Sequence, residues 1–199
     1  IHGGTVVDGT GAPGIRADVA VTDGRISAIG DLTESDGSLP EAAEVHNATG
    51  RIVCPGFVDP HTHYDAQLFW DPYATPSSQH GITSMVMGNC GFTIAPIGDQ
   101  SDADYLAAML VKVEGMSPAA LAEGLDWNWR TFGEFLDRFE GNLGVNVAGM
   151  VGHSAIRRTV MKDDSTRREA TRPLYTSDDS DDPLPGLPGG GLAAAQRLA

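Results

Sequence analysis

Pro55-Gly56-Phe57-Val58-Asp59-Pro60-His61-Thr62-His63-Tyr64-Asp65 is an apolar run that ends in two histidines one residue apart, with Pro-Gly before it and polar residues after. Along a strand, side chains at i and i+2 leave the same face. His61 and His63 would therefore point together, with Asp59 one step further back. Two neutral imidazoles side by side at the end of a buried strand are costly unless something satisfies their nitrogens. A divalent metal does so, and imidazole is a common zinc ligand. The spacing alone is equally compatible with two ordinary histidines, because a His-x-His pair is short. Its neighbours have to decide.

Ile52 to Val58 is near-continuous in apolar residues, the pattern of a strand buried on both faces. Asp71 to Ser78 reads as loop, and Ser77 to Gly81 as a short helix end with Gly at its cap. Ile82 to Met87 reads as a second buried strand, ending at Gly88-Asn89-Cys90-Gly91. Three helical segments follow. Asp102 to Val113 carries a stripe of Tyr105, Leu106, Met109, Leu110 and Val113. Ser117-Pro118 opens a short helix through Leu121 and Gly124. Thr131 to Glu134 matches a capping box, with Phe132, Phe135, Leu136 and Phe139 on one face and Gly141 as the stop. Val145 to Val151 reads as a third buried strand, ending at Gly152-His153. Strand, helices, strand at this rhythm predicts βαβ units and a parallel α/β sheet.

In parallel α/β architectures, sites are built at the C-terminal ends of strands. His61, His63 and Cys90 all fall there. The glycines beside Cys90 let the backbone approach a ligand closely, and a thiolate is a good zinc ligand. A cysteine by itself is more often a buried small hydrophobe. Beside His-x-His on the preceding strand, the metal reading is the stronger one.

Residues 1–54 read as a small antiparallel β part. Thr5 to Gly9 is a short strand, and Asp18 to Thr22 and Arg25 to Gly30 alternate around Asp23-Gly24, a hairpin signal. Ala43 to Asn47 reads as a further strand. Residues 55–171 carry the strand–helix texture. Residues 172–199 hold clustered Asp (178, 179, 181, 182), four prolines and a Gly run at 189–191. That composition predicts a low-complexity tail, disordered or the product of a shifted or truncated reading frame.

With 199 residues the chain is long enough for one ordinary domain, or for a small one plus part of a larger one. A formal net charge of −14 and a pI near 4.5 argue against nucleic acid or anionic membrane surfaces as partners. No apolar run approaches the length of a membrane span. Cys54 and Cys90 are too few for a disulfide framework and fit a reducing, cytoplasmic setting. The first residue is Ile, with no visible leader, which suggests a start further upstream.

From Ile52 to Pro96, PGFVDPHTHYDAQ and HGITSMVMGNCGFTIAP closely resemble the N-acyl-D-amino-acid deacylases (D-aminoacylases) of the amidohydrolase superfamily. VEGMSP at 113–118, LDWNWRTFGEFLDRF at 125–139 and VGHSAIRR at 151–158 are similar as well, so the resemblance covers roughly residues 1 to 171. His-x-His belongs to the whole superfamily, whereas Gly-Asn-Cys-Gly points to the deacylase branch. The resemblance implies a (β/α)8 TIM-type barrel, of which about three strands are recognisable, preceded by a small β-sandwich part. It implies Zn2+ at the barrel mouth, activating water against the amide carbonyl of a small N-acyl-D-amino acid. His61 and His63 match the family's first ligand pair, and Cys90 matches its cysteine ligand. The family also draws two histidines and a general-base aspartate from later strands. Only His153 lies beyond Cys90, and nothing corresponds to that aspartate. A complete barrel needs eight strands and about 250 residues, so the chain reads as the N-terminal part of an enzyme, inactive alone.

Other residues are read more plainly. His153, with Arg157 and Arg158 following, is a candidate for binding a substrate carboxylate, or a polar strand end. His80 reads as a helix-end contact, His46 and His2 as surface, Trp127 and Trp129 as packing, and Cys54 as core. Glu114 is given no role. The alternatives are a cyclic amidohydrolase of the dihydroorotase or hydantoinase type, disfavoured by Cys90, and a non-catalytic metal-binding fragment.

Overall fold

A computed structural model describes residues 1–169 and 193–196. The chain forms two compact units, Ile1–Gly56 and a second that begins at Phe57. The first is a four-stranded sheet of β1 (Gly4–Val6), β2 (Ile15–Thr22), β3 (Arg25–Gly30) and β4 (Ile52–Val53), in the order β3-β2-β1-β4. β1–β2 and β2–β3 are antiparallel, and β1–β4 is parallel. Asp23 and Gly24 both take positive φ, the pairing that a tight two-residue hairpin turn requires. The core of this unit is small: Val6, Ala17 and Val19, with Val53 against them. The strand expected at Ala43 to Asn47 does not form. Among the described residues of that stretch Asn47 alone makes a bridge, to His2, and Val45 is exposed.

The run from Ile52 to Val58 is not one buried strand. It divides between the two units, because Pro55 has no N–H to continue a ladder, and β5 (Phe57–Asp59) begins the second unit. Ile52, Phe57 and Val58 are 70%, 59% and 65% exposed. Cys54, expected in the core, is exposed in the connection. Among the described residues β5 is an edge strand, paired on one side only, and its apolar residues are exposed for that reason.

The second unit is a mixed α/β arrangement. β5, β6 (Ile82–Met87) and β7 (Asn146–Gly149) run parallel, and β8 (Ala193–Gln196) is antiparallel to β7. The expected tail lies outside the described residues except for these four, which form a strand. Between β6 and β7 come α1 (Gln100–Glu114), α2 (Pro118–Gly124) and α3 (Phe132–Asp137), and α4 (His153–Met161) follows β7. The caps follow from the sequence. Asp99 accepts from the Ser101 and Asp102 amides, Ser117 from Ala120, and Thr131 and Glu134 form a reciprocal capping box. Met85 and Met87 of β6, Leu106 and Leu110 of α1, and Phe132 and Phe135 of α3 are buried in one core. Trp129 is fully buried, and its indole N–H donates to the Ile94 carbonyl at 2.9 Å.

A buried ion cluster fixes α4 to the start of α1. Asp102, 0% exposed, accepts from Arg158 Nε at 3.0 Å, Lys162 Nζ at 2.6 Å and the Gly98 amide at 2.9 Å. Arg158 also bonds Asp163 at 2.9 Å and lies 4.9 Å from the centre of the Tyr105 ring. Among the described residues no helix is long and apolar enough to cross a membrane.

Candidate metal centre

β5 ends at Asp59, so the two histidines lie just past the strand. Asp59 accepts the His61 amide at 3.1 Å, turning the chain. Thr62 is buried, and both its amide (2.9 Å) and its hydroxyl (2.8 Å) donate to the Val86 carbonyl of β6. That bond holds Thr62 against the sheet and leaves its two neighbours free to project elsewhere. The imidazoles come together, with ring centroids 5.5 Å apart.

Cys90 is presented by the loop after β6. Gly88, Cys90 and Gly91 all take positive φ, at 83°, 56° and 74°. At Gly88 a Cβ would sit 2.2 Å from the Met150 carbonyl oxygen, so only glycine fits. Asn89 is buried, and its side-chain amide donates to the carbonyls of Val86 (2.8 Å) and Pro60 (3.3 Å). It therefore ties the cysteine loop to the histidine segment. The residue that faces out between these fixtures is Cys90.

The result is three donors in one place. His61 Nε2 is 3.2 Å from Cys90 Sγ, and the ligating atoms of His61, His63 and Cys90 all lie within 4.8 Å of one another. Zinc–nitrogen and zinc–sulfur bonds of ~2.0 to ~2.3 Å put tetrahedral neighbours roughly 3.5 Å apart, so small side-chain rotations suffice to seat an ion. Two imidazoles and a thiolate are a zinc-type donor set. His61 and Cys90 are exposed and His63 is half-buried, so the site is open on one side.

Two carboxylates that the sequence reading left without a role stand behind it. Glu114, the last residue of α1, places Oε1 3.4 Å from His63 Nδ1, a buried nitrogen with no hydrogen bond among the described residues. Asp65, 2% exposed, accepts the Gly88 amide at 3.1 Å. Burial pushes its carboxyl up to about 7, and the nearby Glu114 charge adds to the rise, since both disfavour the anion. Asp65 was visible inside the histidine motif. Glu114 lies far from His63 in the chain, and only the return of α1 brings it there.

His153 is exposed at the first turn of α4 and stands outside the three-donor set. Its arginine neighbours are not free to hold a substrate carboxylate. Arg158 is buried against Asp102 and Asp163, and Arg157 donates to the Ser165 and Arg168 carbonyls. His80 is exposed, with Gly81 capping its turn at φ 87°.

Residues 44–184 match the model of the Amidohydrolase family. The chain belongs to the amidohydrolase family. This amidohydrolase chain is 38% identical over 164 residues to a D-aminoacylase of Alcaligenes xylosoxydans xylosoxydans, covering 82% of the chain and 30% of that relative. A crystal structure of a D-aminoacylase described as defining a novel subset of amidohydrolases superposes with a TM-score of 0.67 at 37% identity, covering 88% of the chain and 33% of that structure. The N-acyl-D-glutamate deacylase of Bordetella bronchiseptica, solved with zinc and a phosphonate inhibitor, gives 0.60 at 33% identity, covering 89% and 34%. The amidohydrolase chain thus spans about a third of the length of the relatives it matches.

Proposed function

We propose that the chain is the N-terminal part of a zinc-dependent deacylase of N-acyl-D-amino acids, built on the opening strands of a (β/α)8 barrel and working in the cytoplasm. The observation that carries this reading is the convergence of His61, His63 and Cys90 from the ends of two adjacent parallel strands. The named activities of its relatives and the zinc bound in one of them support the substrate class and the metal. Zinc held by these three residues supplies a Lewis acid for an amide carbonyl and a means to activate water near neutral pH.

The chain's own residues do the holding. Thr62 and Asn89 fix the two ligand-bearing segments to β6, and the positive φ of Gly88 and Gly91 permits the turn that presents Cys90. We propose that His153, in the first turn of α4 and close to Gly91, contacts a bound substrate. No candidate for the general-base aspartate follows from the sequence, so we propose that this chain alone binds metal without hydrolysing amides. Elemental analysis of purified wild-type chain and Cys90→Ala tests the site. About one zinc per wild-type chain, sharply reduced in the variant, is expected; no zinc in either sinks the three-ligand proposal. Turnover of N-acetyl-D-amino acids by this chain would contradict the inactivity.

A further inference from the structure

We propose that Glu114 is a positioning residue for the metal centre: its carboxylate accepts the Nδ1–H of His63 and so leaves Nε2 as that residue's ligand atom. The inference rests on the zinc reading above and deepens it. Among the described residues His63 Nδ1 is buried and without a hydrogen bond, and the atom facing it is Glu114 Oε1 at 3.4 Å. A neutral imidazole carries one N–H and one bare nitrogen, and the bond made by one decides which tautomer the other presents. A small ring rotation brings the pair to ordinary hydrogen-bond length, ~2.9 Å. Glu114 does not belong to the three donors that lie within 4.8 Å of one another, so its place is behind His63 and not beside it on the ion.

A second observation points the same way. Glu114 is the C-terminal residue of α1, where the helix dipole disfavours an anion. Its side chain is only 18% exposed, and burial adds a desolvation cost to a charged group. Among the described residues its one charged partner is His63. An N–H donor backed by a cation offsets both penalties, and His63 with a bound ion is that combination. Carboxylate–histidine–metal relays of this kind fix ring orientation and raise ligand basicity.

The test uses the 199-residue chain as wild type, Glu114→Gln and Glu114→Ala, each checked by circular dichroism. Long-range 1H–15N spectra of the metal-free proteins, at a pH where His63 is neutral, report its tautomer. Competition with a chromophoric chelator reports zinc affinity. Wild type and Glu114→Gln, which keeps an acceptor oxygen, are expected to hold the Nδ1–H tautomer. Glu114→Ala is expected to lose it and to bind zinc about 10- to 100-fold more weakly. Unchanged tautomer and an affinity within twofold in a folded Glu114→Ala overturn the assignment while leaving the metal site standing. If that variant does not fold, Glu114→Asp, too short to reach the ring, takes its place under the same criteria. Failure of wild type to bind zinc overturns the metal reading and this role with it, and the spectra then show separately whether the Glu114–His63 bond exists.

Discussion

His61 Nε2 lies 3.2 Å from Cys90 Sγ, across the gap between the ends of two neighbouring parallel strands. This closeness depends on Cys90 holding a left-handed backbone, at φ 56°. A residue with a Cβ adopts that conformation at a cost of roughly 1 kcal/mol or somewhat more. The strain is local to the one residue that the loop presents to the histidines.

Cys90→Gly is therefore expected to separate stability from metal binding. Without zinc the variant should melt at the wild-type temperature or slightly above it, since glycine takes positive φ freely. Zinc at a hundred times its Kd should stabilise wild type by about 2.7 kcal/mol and leave Cys90→Gly nearly unmoved. Thermal unfolding of both proteins with and without zinc is the measurement. A variant that gains as much from zinc as wild type would remove Cys90 from the ligand set.

Gly88 offers the complementary case, in which a conformation is fixed by contact and not by chemistry. A methyl group there meets the Met150 carbonyl at 2.2 Å and Thr93 Cγ2 at 2.8 Å, with φ at 83°. Gly88→Ala is expected to destabilise by roughly 2–4 kcal/mol, combining backbone strain with overpacking. It should also move Cys90 and so lower zinc affinity. Urea unfolding and zinc titration of the variant check both; a loss below roughly 0.5 kcal/mol, within the range of ordinary surface changes, would show that the loop yields.

The Asp18 carboxylate gives the first unit a pH dependence of definite sign. The Gly3 amide, donating at 2.8 Å, leads in holding its pKa below the ordinary value of 3.8, with the Leu32 amide and His2 adding to it. The folded form thus prefers the anion. Its stabilising contribution is complete above about pH 4 and is lost as pH falls through the depressed folded value. Asp18→Asn is expected to flatten the decline in melting temperature as pH falls below about 4 relative to wild type. Equal slopes for the two proteins would show that other carboxylates account for the decline.

Much of this arrangement is written in local sequence. Asp23-Gly24 states the hairpin, Thr131 and Glu134 state the start of α3, and the runs at Ile82–Met87 and Val145–Val151 state two parallel strands, the second of which forms over Asn146–Gly149. His61, His63 and Cys90 are legible together because strand ends gather on one side of a parallel sheet. What is not legible depends on what lies opposite. Phe57 and Val58 look buried by composition and are exposed because, among the described residues, β5 has a neighbour on one side only. Arg157 and Arg158 look like surface charges free for a ligand, yet both are spent on partners within the fold. Glu114 reaches His63 only through the length and direction of α1.

Arg158 carries the last prediction, because its burial makes it a sensitive probe of whether α4 is anchored as described. With Arg158 truncated, Asp102, 0% exposed, keeps Lys162 and the Gly98 amide but loses its buried cationic partner. Breaking such a pair from one side is expected to destabilise by about 3–5 kcal/mol, because it leaves a charge buried without full compensation. Replacing both partners with apolar residues of similar volume, Asp102→Leu with Arg158→Met, removes the uncompensated charge and should recover much of the loss. The recovery is limited by the Gly98 amide, which loses its acceptor, whereas Lys162 keeps Asp99 at 2.9 Å. Denaturant unfolding of Arg158→Met, Asp102→Leu and the double variant measures the coupling between the two sites. A double variant as unstable as the sum of the singles would mean that the two side chains act independently, and α4 would then owe its position to the burial of Ala155, Ile156 and Met161.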